Sequence, residues 1–454
     1  MKKITLFAAI SSFCILFTKL YAQVGIGTAT PNAASLLHID ASTNTTKGIL
    51  ITGAYNFSTG TVPNLGAGSR LMFYPGKAAF RAGFVDGTQW DDRNIGTGST
   101  ATGYLTTASG YYSVAMGVGN QATGNFSTAL GRDNLASGDY ATVFGANNIA
   151  SGQYSTAMGH NAQASGIGSV SLGNTTTASG PNSLSLGYNT VASGPSSTAI
   201  GNTTNASGVN STTTGYGTTA SGDASTAMGN NVSTAAWNGS FIIGDNSTRA
   251  VLSNDHSNEM AMIFDGGYVF RTDANVAIGV LIPHGGNSWT AFCDKNRKEN
   301  FEPLNGEDVL QKLSNINFTS WNYKMQDPKS YRHYGIMAQD FNTAFGHDKY
   351  GVIGNDTTVN PIDMIGIDMA AIQALVKRTN ELKNENEKLK DKDEAINKKL
   401  TEVNELKKEN ESLRQSMAQL QTSFNEQQKL IAQSLKQMEA LTIKQIAKEP
   451  LAIK

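Results

Sequence analysis

The chain has 454 residues, 47 of them Gly and 10 Pro, with 16% charged and 8% aromatic residues and a net charge of −1. At roughly 150 residues per domain this length allows about three units. The balanced charge argues against a nucleic-acid polyanion as main partner, abundant Gly without a Gly-X-Y period excludes collagen, and the scattered apolar residues argue against plain disorder. The averages hide an uneven chain. Residues 101–230 contain four charged side chains (Arg132, Asp133, Asp139 and Asp223), whereas charge of both signs is dense from Lys377 onward.

The N-terminus opens with Met1, Lys2 and Lys3. A short apolar run follows over residues 4–17, and Ala22 precedes Gln23. This is the layout of a secretory signal peptide cut after Ala22; the run is shorter than the roughly 18 apolar residues of a spanning helix. The mature chain is therefore expected to be exported, secreted or at the cell surface. No later segment is expected to span a membrane as a helix, and the C-terminus lacks the alternating strands of a barrel anchor. Cleavage removes Cys14 and leaves Cys293 as the one thiol of the mature chain, which reads as a reactive group, an intermolecular crosslink or a buried side chain. Residues 23–100 mix turn residues with short apolar runs, among them residues 48–52 and 70–74, and predict a β-rich tip.

A 14-residue period governs residues 101–230. Gly110, Gly124, Gly138, Gly152, Gly166, Gly180, Gly194, Gly208 and Gly222 form one series, and Gly117, Gly131, Gly145, Gly159, Gly173, Gly187, Gly201, Gly215 and Gly229 a second. An Ala stands two residues before each member of the first series, from Ala108 to Ala220. Before the second series runs the ladder Met116, Leu130, Phe144, Met158, Leu172, Leu186, Ile200, Thr214 and Met228. Glycine every seven residues predicts turn positions without a Cβ penalty, and the five- or six-residue segments between suit strands rather than helices. Stacked, they predict a parallel solenoid with two short strands per coil, its Ala and Met/Leu ladders pointing inward or toward a neighbouring chain. At about 4.8 Å per strand, nine coils extend roughly 43 Å.

Units such as Ser113-Val-Ala-Met-Gly117 and Ser127-Thr-Ala-Leu-Gly131 resemble the Ser-x-Ala-x-Gly repeats of trimeric-autotransporter adhesin heads. The resemblance implies a left-handed parallel β-roll assembled as a homotrimer, serving either adhesion or as a passive stalk. The membrane anchor of that family is not expected in this sequence, so its export route is not expected to carry over. With so little charge in the repeats, contact with a glycan or other surface ligand would use hydroxyls, amides and aromatics such as Tyr111, Tyr112 and Tyr140. Residues 231–289 again hold short apolar runs and predict a β neck.

The sequence changes character over residues 290–375. The segment 309–313 predicts a helix, 316–323 a strand, and 334–341 a lead into a second helix. Asp294, Lys298, Trp321-Asn-Tyr323 and Gly335-Ile-Met-Ala-Gln339 resemble the endosialidase-type intramolecular chaperone of phage tail spikes and bacterial fibres. That resemblance implies a small α+β domain that trimerises its fibre and then cuts itself off, using a Ser and a Lys five residues later. The cut falls just before the Ser. Here Cys293 stands at the Ser position and Lys298 at that of the Lys. A thiol is a strong nucleophile and a nearby Lys can take its proton. Attack on the Phe292 carbonyl would give a thioester that water hydrolyses, cutting between Phe292 and Cys293. The other reading is a dead site with the chaperone still attached. Asp294 orients Lys298 or is a turn residue, and His333 is a further catalytic candidate or a structural one.

From Leu375 apolar residues recur every seven (Leu382, Leu389, Ile396, Val403, then Asn410, Met417, Phe424, Ile431 and Met438), joined at +3 by Leu406, Leu413, Leu420 and Leu441. Residues 376–447 thus predict a coiled coil with a and d positions sustained over about five heptads. Before Val403 the +3 positions Glu385, Lys392 and Lys399 are polar and that half reads as looser; Asn410 sets register at some cost in stability. Together these readings give a mainly β protein, with a β-roll head, an α+β chaperone domain and a C-terminal coiled coil, in an exported homotrimeric fibre or adhesin that needs no cofactor. A phage-type tail fibre is the alternative, against which the signal peptide speaks. A glycan-active enzyme finds no paired carboxylates or metal-ligand cluster in the repeats.

Overall fold

The computed structural model describes residues 23–41, 48–56, 61–247, 250–275 and 278–446. The expected signal segment, residues 1–22, lies outside them. The chain divides into two compact units, Met1–Phe292 and Cys293–Lys454.

The first unit is a parallel β-solenoid. A hairpin, Gly68–Tyr74 with Ala79–Val85, opens it. Its second strand pairs in parallel with Thr100–Tyr104, and the hairpin thereby opens a 14-stranded sheet that runs to Met260–Ile263. An 11-stranded sheet of two-residue strands, Thr107–Ala108 to Leu252–Ser253, forms the other ladder. Pairing is parallel and strictly 14 residues apart through the repeats: Ala115 opposes Ala129, and Gly117 opposes Gly131. The coils thus run past the repeat segment at both ends. A three-stranded antiparallel sheet, Gly267–Arg271, Gly279–Pro283 and Thr290–Ala291, follows.

Each coil turns four small residues inward, for example Ser113, Ala115, Asn120 and Ala122, all fully buried. The Ala108–Ala220 ladder faces inward throughout. The Met/Leu ladder faces outward: Met116, Phe144, Met158 and Leu186 are 39–53% exposed, and Leu130, Leu172, Ile200 and Met228 are half-buried. In several coils the Ser of the unit locks its own turn, as Ser113 Oγ donates to Gly110 O at 2.8 Å and Ser127 Oγ to Gly124 O at 2.6 Å, whereas the buried Ser197 Oγ makes no such bond. Three buried amides form a second lock. Asn120 Nδ2 donates to Met116 O and Gly131 O, and its Oδ1 accepts from the N–H of Asn134 at 3.0 Å; Asn134 and Asn148 repeat the pattern. These bonds satisfy polar groups that would be costly if buried unpaired. Where the inward Ala becomes Ser171 or Ser185, the hydroxyl pairs with Thr176 or Thr190 at 2.7 and 2.6 Å.

The glycines differ from the turn reading. Members of the second series lie inside strands, with Gly173 at φ 132°. A Cβ on Gly173 would lie 2.0 Å from the carbonyl oxygen of Gly187 in the next coil. Close backbone approach is what demands glycine there. The left-handed turn positions fall two residues later and are mostly not glycine: Asp133, Asn147 and Asn161 on one side, Tyr112, Phe126, Tyr140 and Tyr154 on the other. Those four aromatics stack ring on ring at 5.4, 4.9 and 4.9 Å between centroids.

Arg81 occupies the first inward rung and is fully buried. It donates to Phe80 O, Ser99 O, Ser99 Oγ and Ala108 O. Burial pushes its guanidinium down to about 10, which leaves it charged at neutral pH. Trp90 covers the same end and donates to Thr106 O at 3.0 Å.

The second unit holds three helices: α1 (Gly306–Ser314), α2 (Ala338–Phe345) and α3 (Pro361–Ile446). Asn305 caps α1, accepting from Glu307 N and Asp308 N, a preferred N-cap arrangement. Val309, Ile316, Phe341, Phe345 and Ala371 form the core. The pair Thr319–Trp321 and His333–Gly335 is antiparallel. A Cβ on Gly306 would lie 2.8 Å from Ala374 Cβ, so α1 docks on α3 at close range, and Arg378 of α3 clamps Glu307.

Candidate processing site and assembly surfaces

Cys293 begins the second unit as an exposed, free thiol. A single 3-10 turn, Lys295–Arg297, reverses the chain after it. Asp294 caps this turn, its carboxylate accepting from Asn296 N at 2.9 Å, and the N–H of Lys298 closes it on Lys295 O. The turn brings a residue and its fifth neighbour together: Lys298 Nζ lies 3.0 Å from Cys293 Sγ. The chaperone resemblance implies this pairing, and the turn supplies its geometry. In the first unit, the Arg271 guanidinium sits 3.8 Å from the centroid of the Phe292 ring.

The other two candidates are committed elsewhere. The Asp294 carboxylate serves the turn and lies 3.8 Å from Arg297 Nε. His333 stacks on Trp321 at 4.6 Å, and its Nε2 meets Gln326 Oε1 at 3.0 Å. Trp321 and Tyr323 of the Trp-Asn-Tyr motif thus build an aromatic cluster around His333. Among the described residues, no hydrogen bond links a carboxylate or imidazole to Cys293 or Lys298.

One group offers three potential metal ligands: Asp255, His256 and Glu259, with ligand atoms within 4.8 Å of one another. Its bonds are internal. Glu259 Oε2 accepts from Asp255 N and His256 N, and His256 Nδ1 meets Asp255 Oδ1 at 2.6 Å. The Asp255 N–H, ahead of the other donors, holds the Glu259 carboxyl below the usual carboxylate range. Glu259 Oε2 and Asp255 Oδ1 are thus engaged within the turn. Sequence reasoning passed over it because its residues fall outside the repeats.

Helix α3 presents two opposite apolar faces in its first turns. Met364, Ile367, Ala370 and Ala371 pack on the core of the unit, while Ile362, Ile365, Met369, Ile372 and Val376 are about half to two-thirds exposed. Beyond Leu375 no described residue of α3 is buried, although its apolar spacing continues. Among the described residues, no helix is long and apolar enough to cross a membrane.

The geometry agrees with the comparisons. Residues 95–231 match, in nine overlapping windows, the family described as YadA head domain repeat, and residues 293–347 match the family described as chaperone of endosialidase. No curated protein matches the chain. Residues 95–231 are thus similar to YadA head repeats, and residues 293–347 to the endosialidase chaperone.

Proposed function

We propose that this is an exported, homotrimeric surface fibre or adhesin, assembled by its own C-terminal domain. The observation that carries this reading is α3. An 86-residue helix with its heptad apolar residues in solvent has no stable arrangement as a single strand, because helical stability in water comes from packing an amphipathic face. Three copies cover that seam and, in the head, the outward Met/Leu/Phe ladder. The head-repeat match supports three strands. The chaperone domain holds three chains in register before the solenoid winds. That matters for a repeat whose coils are nearly alike and can pair one coil out of step.

Cleavage before Cys293 is the second part of the proposal. The thiol loses its proton to Lys298, and sulfur attacks the Phe292 carbonyl. The C–N bond breaks as the nitrogen takes the proton and becomes the α-amine of Cys293. Water then hydrolyses the thioester, freeing residues 23–292 from the chaperone and α3. The Lys298–Cys293 distance supports this reading.

Native mass of the mature chain tests the assembly: a trimer is expected, and a monomer or dimer would sink the fibre model. Denaturing gels with intact mass test the cut. Two fragments are expected, the smaller beginning at Cys293, and both Cys293→Ala and Lys298→Ala should abolish them. A single full-length species in the wild type refutes self-cleavage and leaves an uncleaved stalk.

A further inference from the structure

The sulfur at position 293 alters the fate of the intermediate, a consequence that rests on the proposed cleavage before Cys293. We infer that Cys293 makes this site an acyl-transfer centre, one that passes the Phe292 acyl group from its thioester to an external thiol or primary amine and not only to water. Three observations carry this. The thiol is exposed, so an acceptor larger than water reaches it. Among the described residues, its polar partner at close range is Lys298 Nζ at 3.0 Å. The carboxylate and imidazole nearest in sequence pattern, Asp294 and His333, are bound to Asn296 and Gln326, so neither is placed to activate a water. Lys298 is the base within reach, and once the nitrogen has taken its proton it can deprotonate an incoming thiol or amine as well as water.

The chemistry distinguishes sulfur from oxygen. A thioester carbonyl is less stabilised by resonance than an oxyester, and amines and thiols attack it far more readily relative to water. The steps balance. The first forms the bond between Cys293 Sγ and the Phe292 carbonyl carbon and breaks the peptide C–N bond, with the thiol proton ending on nitrogen. In the second the acceptor's sulfur or nitrogen bonds to that carbon, Cys293 Sγ leaves, and the acceptor's proton restores the thiol. No oxidant or reductant enters.

The test is intact mass of the full mature chain incubated with 2-mercaptoethanesulfonate, or with glycinamide as the amine. The fragment ending at Phe292 should carry the mass of the acceptor less one water relative to its free acid, in a share that grows with acceptor concentration. Cys293→Ser, which restores the hydroxyl of the resembled family, should give mostly free acid. If the wild type cleaves but yields free acid alone at every concentration, transfer is wrong and hydrolytic cleavage stands. Equal adduct from Cys293→Ser and wild type also overturns the role of sulfur. If the chain stays whole with and without acceptor, the cleavage reading and this inference fall together.

Discussion

Arg81 and Ala101 are consecutive rungs of one inward-facing column, and the change of side chain between them marks where the solenoid core ends. The terminal coil has only the hairpin before it, so a long side chain fills the opening and gives the Ser99 and Ala108 carbonyls a second donor beside the N–H groups of Phe80 and Gly96. Arg81→Ala empties that volume and strips one donor from each carbonyl, which keep the N–H groups of Phe80 and Gly96, at about 2–5 kcal/mol, the range for truncating a large buried side chain. Arg81→Met restores volume without donors and should recover only part of the loss. Amide hydrogen exchange over residues 100–110 reads the effect, with faster exchange in the order wild type, Arg81→Met, Arg81→Ala. Unchanged exchange in both variants would show that the end is held by Trp90 and its neighbours instead.

Two glycines five residues apart make opposite predictions. Gly173→Ala places a Cβ where the Gly187 carbonyl lies, with backbone as the obstacle, and at a positive φ. Neither coil can move without breaking the in-register ladder, so the variant should lose folded trimer or unfold tens of degrees lower. Gly168 sits at a left-handed turn position where later coils carry Asn182 and Asn210. A Cβ there meets only the flexible Asn182 side chain. Gly168→Asn should therefore stay within about 1 kcal/mol of wild type, since Asn tolerates this conformation. Thermal unfolding of the two variants side by side checks both.

That contrast also shows what could be read from the chain. The 14-residue period specified the two ladders, their parallel pairing and their register, because each coil's geometry repeats without exception from Ala108 to Ala220. The purpose of the glycines was not legible. A strand glycine under a neighbour's carbonyl and a turn glycine give the same spacing, and only the backbone separates them. The non-repeating ends were also hidden, since Arg81 becomes part of the core through the strand pairing of a hairpin with no repeat signature. At the processing turn the Cys293–Lys298 pairing was legible only through the resemblance to the chaperone family, whereas the commitment of Asp294 to the Asn296 N–H depends on a local cap that several sequences share.

The aromatic stack answers a local conflict. Tyr140 holds φ 61°, a conformation that costs a non-glycine residue roughly 1–2 kcal/mol. Its ring lies between Phe126 and Tyr154, both at 4.9 Å, and each such pair is worth about 0.5–1.5 kcal/mol. The two terms nearly cancel, so the stack relieves the strain. Tyr140→Ala keeps the strain and loses both contacts, and should destabilise by about 1–3 kcal/mol. Tyr140→Asn loses the contacts but eases the strain, and should fall between. Chemical denaturation ranks the three. The stack also sets what a ligand meets at Tyr112 and Tyr140, namely ring edges and hydroxyls rather than ring faces.

The seam of α3 predicts a specific defect. Ile362, Ile365, Met369, Ile372, Val376 and Thr379 alternate steps of three and four residues, as a heptad requires. Thr379 to Leu382 is again a step of three. Alternation then resumes through Asn386, Leu389, Asp393, Ile396, Leu400 and Val403 before a second doubled step of three to Leu406. The apolar line before Val403 thus runs in a shifted register, with Asn386 and Asp393 as polar members of its seam, and the helix runs through both shifts unbroken. A three-residue insertion overwinds a coiled coil locally. Inserting four residues after Val403, the last an isoleucine, completes a heptad and should relieve the overwinding. Deleting residues 404–406 does the same by the opposite route, since Asn410 then follows Val403 by four. Both variants should remain trimeric with a thermal midpoint at or above that of wild type, read by circular dichroism at 222 nm, the helical signal. Insertion of a single residue at the same place leaves the seam broken and should lower it. If all three variants behave alike, the shift at Val403 carries no strain and the seam is not the packed interface.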